Sequence, residues 1–421
     1  MNAQIQKERT HLFSPSINIA MLATIFGDMT EKVLSAAITK AVLNNEILSC
    51  KIALDQDGKA FYEKKEKPLF TIEKFDGDWK TIIQVQETVV FDLENGELIR
   101  FFVKGQQDCT QLLMIAHHLV GDGLAVSYLL EDIINALNGH DLTYKPLKLF
   151  ELNTVPFDSR LSPLMRFMQS SINKKWSKTG KKFSFTEYKD MFTSYWRNRK
   201  TEIFCEEINE IQLSALKRIA KQHGITLNSL LTTAFAKVAR ERSDIGMAAS
   251  VRPKDYRGMG NYATGISVQY RYNIAKDFWA NTKEVHKFIY KKLNNNRAKF
   301  FLLEFMNGVS PTLVDAAYFS AFGGYENKVA KTICNMFGYG GKPKSISITN
   351  LTTLDIGEQN GDYSIKDIRF VPPLVPNARR LIGISTFRNK MAISFHVENN
   401  ELLSEEKAFF EDAISYLKQL A

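Results

Sequence analysis

Apolar residues recur along this chain with two different periods, which together predict an interleaved series of helices and strands. Spacings of three and four residues place apolar side chains on one face of a helix, and they occur over 30–46, 123–137, 214–222, 228–240 and 278–293. Short apolar runs bounded by turn residues predict strands, which we place at 48–54, 60–63, 98–103, 111–116, 201–208, 246–251, 264–272, 345–349, 382–387 and 391–397. A last helix is predicted after Ser404. This alternation predicts a fold of the α/β class.

The segment from 153 to 200 differs in composition from the sequence on either side. It is rich in Lys, Arg, Ser and aromatic residues, and we interpret it as a crossover between two halves. The predicted division is an N-terminal half at 1–155, a crossover at 156–200 and a C-terminal half at 201–421. Apolar residues share one face of 161–176, and we expect this helix to pack on its own protein. Binding of the helix to a membrane surface is the alternative.

Composition narrows the function classes without selecting one. The chain has 421 residues, 44% of them hydrophobic, which is enough for two cores of medium size. A net charge of +9 suits nucleic acid, a membrane surface or a phosphorylated or acidic partner, but no nucleic-acid-binding motif is visible. No apolar run reaches the ~18 residues of a membrane span, and the N-terminus has no signal-peptide pattern. The four widely spaced cysteines are expected to be free thiols in a reducing cytoplasm.

One short motif carries candidate chemistry: His117-His118-Leu119-Val120-Gly121-Asp122-Gly123. It leaves a predicted strand and enters a predicted helix. A sheet can hold a histidine rigidly at a strand end, and the near-neutral pKa of histidine suits removal of a proton from a hydroxyl or amine. Asp122 can organise the turn through an ion pair, and Gly123 permits a close backbone approach. The motif therefore predicts a general base at this turn, with a purely structural histidine pair as the alternative.

This motif resembles HHxxxDG, the signature of the condensation domains of non-ribosomal peptide synthetases and of related stand-alone acyltransferases. Further patches follow in the order and spacing of that family, at 12–16, 44–48, 250–262, 347–351 and 381–397. The resemblance implies two chloramphenicol acetyltransferase-like α/β sandwich halves in a V-shaped pseudo-dimer. The chain departs from the family at Asn44-Asn45, where an Arg-His pair is usual, and at Leu124-Ala125 after the DG. These departures weigh against peptide-bond formation but not against general acyl transfer.

The resemblance also implies roles for single residues. His118 faces the tunnel between the halves and removes a proton from the acceptor as the acceptor attacks a thioester carbonyl. His117 packs behind His118 and supports its orientation. Asp122 is paired with an arginine in the family, and Arg252 occupies the matching position, with Arg257 as the fallback partner.

A candidate oxyanion donor lies in the second half. In the related dihydrolipoyl acyltransferases, a Ser-Asn-Leu segment at a strand end supplies a hydroxyl opposite the catalytic histidine. Thr349-Asn350-Leu351 resembles that segment, with Thr in place of Ser. The alternative is a strand-end threonine that bonds its own backbone, in which case the donor lies elsewhere, with the Gly123 backbone as one candidate.

The function implied by the resemblance is acyl transfer from a thioester to an alcohol or amine, in natural-product biosynthesis. The donor would be acyl-coenzyme A or an acyl group on the phosphopantetheine arm of a carrier protein that comes in trans. Basic residues at one tunnel mouth are expected to contact donor phosphates or the acidic surface of a carrier. We expect a monomer that needs no tightly bound cofactor and binds neither nucleic acid nor membrane. A non-catalytic carrier-binding module, and epimerisation or cyclisation of a carrier-bound acyl chain, are the alternatives.

The remaining histidines lack a comparable context. We expect structural or solvent-facing positions for His11, His140, His223, His286 and His396. Metal binding through His117, His118 and Asp122 is disfavoured, because adjacent residues rarely both reach one ion. No further cluster of metal-ligating residues follows in the sequence, so we predict no metal site.

Overall fold

The computed structural model describes residues 3–106, 108–151, 154–339, 344–357 and 361–421. Its strands are β1 (Ala3–Ile5), β2 (Asn18–Phe26), β3 (Cys50–Leu54), β4 (Ala60–Lys64), β5 (Leu69–Lys74), β6 (Glu97–Gln106), β7 (Cys109–His117), β8 (Thr201–Ile208), β9 (Arg242–Ser250), β10 (Ala263–Arg271), β11 (Ile346–Thr353), β12 (Ser364–Val371), β13 (Arg380–Phe387) and β14 (Lys390–Glu398). Its α-helices are α1 (Arg9–Leu12), α2 (Glu31–Asn44), α3 (Trp79–Glu87), α4 (Gly123–Leu137), α5 (Pro163–Ser177), α6 (Phe185–Trp196), α7 (Glu210–Gln222), α8 (Leu227–Ala239), α9 (Phe278–Leu293), α10 (Asn296–Gly308), α11 (Pro311–Phe322), α12 (Lys328–Met336) and α13 (Leu403–Leu420).

Two large sheets organise these elements. The first has the strand order β12-β2-β7-β6-β5 and is antiparallel except where β5 runs parallel to β6. The second has the order β10-β9-β11-β13-β14-β8, and its β11 runs parallel to both of its neighbours. Strands β1, β4 and β3 form a small antiparallel sheet. The described residues thus form two α/β halves, each built around one large sheet, and this agrees with the predicted fold class.

Each large sheet contributes to its own hydrophobic core. Helices α2, α3 and α4 lie against the first sheet or one another, and α7, α8, α9 and α13 cover the second. The first core also takes residues from the later part of the chain, including α11, α12 and β12. The C-terminal sequence therefore completes the N-terminal half. The predicted boundaries at 155 and 200 stay predictions.

The helix predicted at 161–176 is present as α5, and its two faces differ. Ser162 caps its first turn by accepting a hydrogen bond from the Met165 backbone amide, and Pro163 follows at the first helical position. On the inner face, the Gln169 side chain donates to the Phe305 carbonyl, and the Trp176 indole donates to the Thr312 hydroxyl. The helix therefore packs on its own protein along one face, while apolar side chains remain exposed on the other.

A buried contact between a carboxylate and a histidine joins the two halves at a place away from the His117–His118 motif. Glu87, at the end of α3, lies 3.1 Å from the His396 ring on β14, and its other oxygen accepts a hydrogen bond from the Thr201 hydroxyl at 2.6 Å. The other ring nitrogen of His396 lies 3.0 Å from the Pro372 carbonyl. Burial by itself would lower the pKa of His396, but the Glu87 carboxylate raises it above its ordinary value.

We expect the substitution Glu87→Gln to destabilise the protein by ~3–5 kcal/mol, because it leaves a buried histidine without its charged partner. A raised folded-state pKa makes the contribution of His396 complete below ~6.5, the unfolded value, and lost as the pH rises through the folded value. Urea unfolding should therefore show a larger loss at about pH 6 than at about pH 9. An equal loss at both pH values would contradict a charged His396. The control is Glu398→Gln, whose ion pair with Arg199 is exposed and should contribute less than ~1 kcal/mol.

Candidate active site

A large cavity lies between the two halves and has a volume of about 880 Å³. The first half contributes α1, β2 and the turn that carries the histidine motif. The second half contributes β9, β10, β11 and α10. Most of the lining side chains are apolar, among them Ile19, Met247, Ile266, Phe301, Met306 and Phe370. This composition suits a ligand with a long apolar part.

The histidine motif forms a tight turn at the edge of the cavity. His117 is the last residue of β7 and is buried; its Nδ1 accepts a hydrogen bond from the Leu119 amide, and its ring packs edge-on against Phe91. The Val120 amide donates to the His117 carbonyl and closes the turn. His118 is consequently turned out of the sheet and lines the cavity, whereas His117 does not reach it. His118 thus lies at the cavity between the halves, and the supporting role expected of His117 stays a prediction.

The surroundings of His118 keep its imidazole neutral. Burial lowers its pKa to about 4, although the Asp122 carboxylate acts in the opposite direction. The pKa of His117 is lowered further, to about 3, by burial and by its neighbours His118 and Arg100. A neutral imidazole can accept a proton, so His118 is ready to act as a base at neutral pH without first losing one.

Asp122 joins the two halves next to His118. One of its oxygens accepts from the Ala125 amide, which caps α4, and from the Arg252 guanidinium at 2.9 Å. The other oxygen accepts from the Tyr262 backbone amide at 2.8 Å. Arg252 donates in addition to the carbonyls of Gly258 and Gly260. The predicted Asp122–Arg252 ion pair is therefore present, and both carboxylate oxygens of Asp122 are occupied within the protein.

The fallback partner of Asp122 has a different role. Arg257 forms two-pronged hydrogen bonds with Glu131 on α4, at 2.8 and 2.9 Å. Its side chain is 36% exposed, whereas that of Arg252 is only 4% exposed. Arg257 thus makes a second, more superficial link between the halves.

Two glycines of the motif permit contacts that a side chain would block. Gly121 forms a β-bridge with Gly260, whose amide donates to the Val120 carbonyl at 2.8 Å. A Cβ on Gly123 would lie 2.7 Å from the Leu351 side chain and 2.9 Å from that of Phe370. Gly123 therefore allows β11 and β12 to approach the start of α4. The approaching groups are side chains, whereas the motif predicts a close backbone approach; the role of Gly123 stays a prediction.

A polar chain beside His118 was missed by the sequence reasoning. The His11 ring stacks on the His118 ring, with centroids 4.3 Å apart, and lies 2.8 Å from the Asn261 side-chain amide. The Lys7 ammonium donates to the Asn261 carbonyl and also lines the cavity. Burial lowers the pKa of both Lys7 and His11. The one available signal was the position of His11 directly before the 12–16 patch.

The candidate oxyanion donor lies on the second sheet. Thr349 is in β11 and lines the same cavity as His118. The pairing of β11 with β13 is interrupted between Asn350 and Thr353. Within this interruption, Thr352 adopts a left-handed conformation with φ 60°, and its amide donates a hydrogen bond to the Asn350 side chain. This irregularity is of the kind that re-aims side chains at functional sites. Within the described ranges, no three His, Cys, Asp or Glu side chains are grouped so that they could hold a metal ion.

We expect Arg252→Ala to lower the free energy of unfolding by ~3–5 kcal/mol, because Asp122 would keep its buried charge without a partner. The matched control is Arg257→Ala, which breaks a more exposed pair between the same halves and should cost ~1 kcal/mol or less. Chemical denaturation of the two variants and the unchanged protein provides the comparison. Equal losses would show that Asp122 does not depend on Arg252.

Comparison with known proteins relates this arrangement to a fold. No protein-family model and no curated protein sequence matches the chain, but solved structures do. The first condensation domain of the calcium-dependent antibiotic synthetase has a TM-score of 0.68 at 11% identity, covering 100% of this chain and 96% of its own. Polyketide synthase associated protein 5 from Mycobacterium tuberculosis has a TM-score of 0.64 at 14% identity, covering 100% and 99%.

A third similar structure is the epimerization domain from the third module of tyrocidine synthetase B, with a TM-score of 0.61 at 14% identity, covering 100% and 96% of the two chains. Identities of this size show the fold alone. The fold class predicted from the histidine motif is confirmed by these likenesses along the whole chain. The protein has the condensation-domain fold, a pseudo-dimer of two chloramphenicol acetyltransferase-like halves.

Proposed function

We propose that this protein is an acyltransferase that moves an acyl group from a thioester to an alcohol or amine, with His118 as the general base. The observation that carries the proposal is a neutral, partly buried His118 that lines a cavity built from both halves. A base at the junction of two halves can act on two substrates that enter from different sides. Acyl transfer requires that meeting of donor and acceptor.

The reaction needs one proton acceptor and one leaving group. The acceptor oxygen or nitrogen attacks the thioester carbonyl while His118 takes its proton, which forms a tetrahedral oxyanion. When the oxyanion collapses, the C–S bond breaks, and the thiolate leaves with the proton held by His118. The products are an ester or amide and a free thiol. A thioester is already activated, so no bound cofactor is required.

Asp122 serves this chemistry as an organiser rather than as an acid. Its oxygens accept hydrogen bonds from Ala125, Arg252 and Tyr262, so the carboxylate is engaged in holding the turn and the second half together. It fixes the turn that aims His118. The oxyanion would be stabilised by the Thr349 hydroxyl, which lines the cavity from the other half, or by the Gly123 amide at the start of α4.

The charges around the cavity favour a donor that carries phosphate. The basic residues in its described lining are Lys7, Lys292, Arg297 and Lys344, whereas Asp122 is the one acidic residue there. Phosphates occur both in coenzyme A and in the phosphopantetheine arm of a carrier protein. Exposed charges are screened over about 8–10 Å at ordinary salt, so donor affinity should weaken as salt rises.

A second candidate is epimerisation of a carrier-bound acyl chain, favoured by the likeness to an epimerization domain. There His118 would remove a proton from carbon, and the acyl group would stay on its thiol. One experiment separates the candidates: intact-mass analysis of acyl-coenzyme A and of an acyl carrier protein, incubated with a panel of alcohols and amines in heavy water. Loss of the acyl group supports transfer, whereas retention of the acyl group with uptake of deuterium supports epimerisation.

We expect His118→Ala to lower the rate of transfer by ~10²–10⁴-fold, the usual effect of removing a general base. The matched control is His223→Ala, since His223 stacks on Trp279 at the end of α7 and does not line the cavity. Full activity in the His118 variant would assign the base elsewhere.

The pH dependence of kcat/KM gives an independent check on His118. Its pKa of about 4 means that the base stays neutral from pH 7 downward until the pH approaches that value. The acid limb should therefore lie near pH 4 instead of ~6.5, the ordinary value for histidine. Circular dichroism at each pH separates lost activity from unfolding. An acid limb at ~6.5 would point to an exposed base.

We expect Thr349→Val, which keeps the shape of the side chain and removes its hydroxyl, to slow the chemical step by ~10²–10³-fold. The measurement is single-turnover transfer, because it reports the chemical step separately from product release. Full single-turnover activity would make Thr349 structural and would favour the Gly123 amide as the donor.

A further inference from the structure

One face of the protein exposes large apolar side chains on several neighbouring elements. Phe157 is 77% exposed, Leu164 is 68% exposed and Phe167 is 71% exposed. Phe301 and Leu302 on α10 and Met336 on α12 are exposed as well. Single exposed apolar residues are ordinary, but a contiguous group of them marks an interaction site. We name the surface formed by residues 157–159, α5, α10 and α12 the basic apolar face.

The elements of this face are packed side by side. The Asn296 side chain donates to Asp158 at 3.0 Å, which places residues 157–159 beside the start of α10. Farther along, Asn173 on α5 donates to the Gly308 carbonyl at 2.7 Å. Met168 and Met336 line one small cavity between α5, α10 and α12. The elements that carry the exposed apolar side chains are therefore neighbours in the fold.

The face is also the rim of the large cavity. Phe301, Leu302 and Met336 are exposed and at the same time line the cavity that contains His118. Arg297, one turn before Phe301, lies on this rim as well. A binding partner that covers the basic apolar face would therefore also cover the rim of the His118 cavity next to α10.

Positive charge is concentrated on the same helices. Together α5, α10 and α12 carry seven Lys and Arg residues and one acidic residue, Glu304, a net charge of +6 out of +9 for the whole chain. Helix α5 contains Arg166, Lys174 and Lys175 and no acidic residue. A helix with Phe and Leu on one face, flanked by basic residues, has the composition of helices that lie in a membrane interface.

We propose that the basic apolar face binds the surface of an anionic lipid bilayer. The apolar side chains would enter the boundary between headgroups and acyl chains, and the basic residues would contact anionic headgroups. Lipid binding does not depend on the proposed acyl transfer. The use of lipid binding for substrate delivery does rest on the proposed acyl transfer. An apolar substrate held in the bilayer would enter the cavity across Leu302 and Met336 without crossing water. No helix in the described part of the chain has both the length and the apolar character to span a membrane.

A bilayer fits this face better than an acidic carrier protein or a second copy of the chain. The negative charge of an acidic carrier would complement the positive charge of the face. Such a carrier would, however, offer few contacts for large apolar side chains that are spread over three helices. A second copy would place two surfaces against each other that each have a net charge of +5, with Asp158 counted alongside the three helices, and this is unfavourable. A fluid anionic surface complements both the charge and the protruding side chains.

The test is sedimentation of the full chain with vesicles of phosphatidylcholine containing about 30% phosphatidylglycerol, compared with phosphatidylcholine alone. We expect binding to the anionic vesicles that weakens as salt rises, because the attraction is screened. The variant Lys174→Glu/Lys175→Glu should weaken binding by about tenfold or more, because one basic residue near an anionic surface contributes about fivefold. The variant Phe157→Ser/Phe167→Ser should also weaken binding by about tenfold or more, because two apolar side chains no longer enter the boundary between headgroups and acyl chains.

Matched controls lie on α7, far along the second sheet. Ile211 is 81% exposed, so Ile211→Ser removes an equally exposed apolar side chain, and Lys217→Glu reverses an exposed charge. Both controls should bind vesicles like the unchanged protein, and thermal melts should show that all variants are folded. Equal weakening in controls and face variants would overturn the assignment of the face.

Two further outcomes would also overturn the proposal. If the chain ignores anionic vesicles but binds an acidic acyl carrier protein through Lys174 and Lys175, a carrier covers the face. If Phe157→Ser/Phe167→Ser converts a dimer into a monomer in sedimentation velocity, a second copy covers it. Acyl transfer to a water-soluble acceptor is measured separately, without vesicles. A failure of lipid binding can then be distinguished from a failure of the proposed activity.

Discussion

The buried carboxylate of Asp122 is the constraint on which the arrangement of the site depends. It caps α4 through Ala125 and holds the second half through Arg252 and Tyr262. A buried charge is costly unless it is paired and hydrogen-bonded. Here the ion pair and the three hydrogen bonds come from groups of both halves. If the halves moved apart at this point, the Asp122 carboxylate would lose its hydrogen-bond partners. The turn that carries His118 is therefore held in one geometry.

The same burial explains the electrostatic character of the site. His11, His117 and His118 lie close together, with His117 buried and the other two partly buried, and burial is the largest cause of the lowered pKa of each. Protonation of any one of these rings would raise the cost of protonating the others. The group therefore stays neutral while Asp122 and Arg252 balance each other. A region of fixed, paired charges around neutral bases needs little reorganisation when charge develops on a substrate.

The sequence predicted well the parts of the molecule that rest on local signals. The alternation of helices and strands, the helix start at Thr30 and the Asp122–Arg252 pair follow from short patterns or from the motif that they resemble. Strand β12 was missed because a bulge between Ile365 and Asp367 breaks its two-residue alternation. His11 was missed because its importance comes from stacking on a ring more than 100 positions away. The exposed face of α5 could not be predicted, since periodicity locates an apolar face but not what covers it.

Strand β12 also has a consequence for how the chain is made. It forms the outer neighbour of β2 in the first sheet, yet about 340 residues separate the end of β2 from the start of β12. A ribosome that adds about 5–20 residues per second needs about 20 to 70 seconds for that distance. During this time the hydrogen-bonding groups on one side of β2 have no native partner, and an unpaired strand edge readily captures other strands. The N-terminal half therefore cannot complete its sheet during its own synthesis, and the edge of β2 stays without its native neighbour until Val371 has left the ribosome.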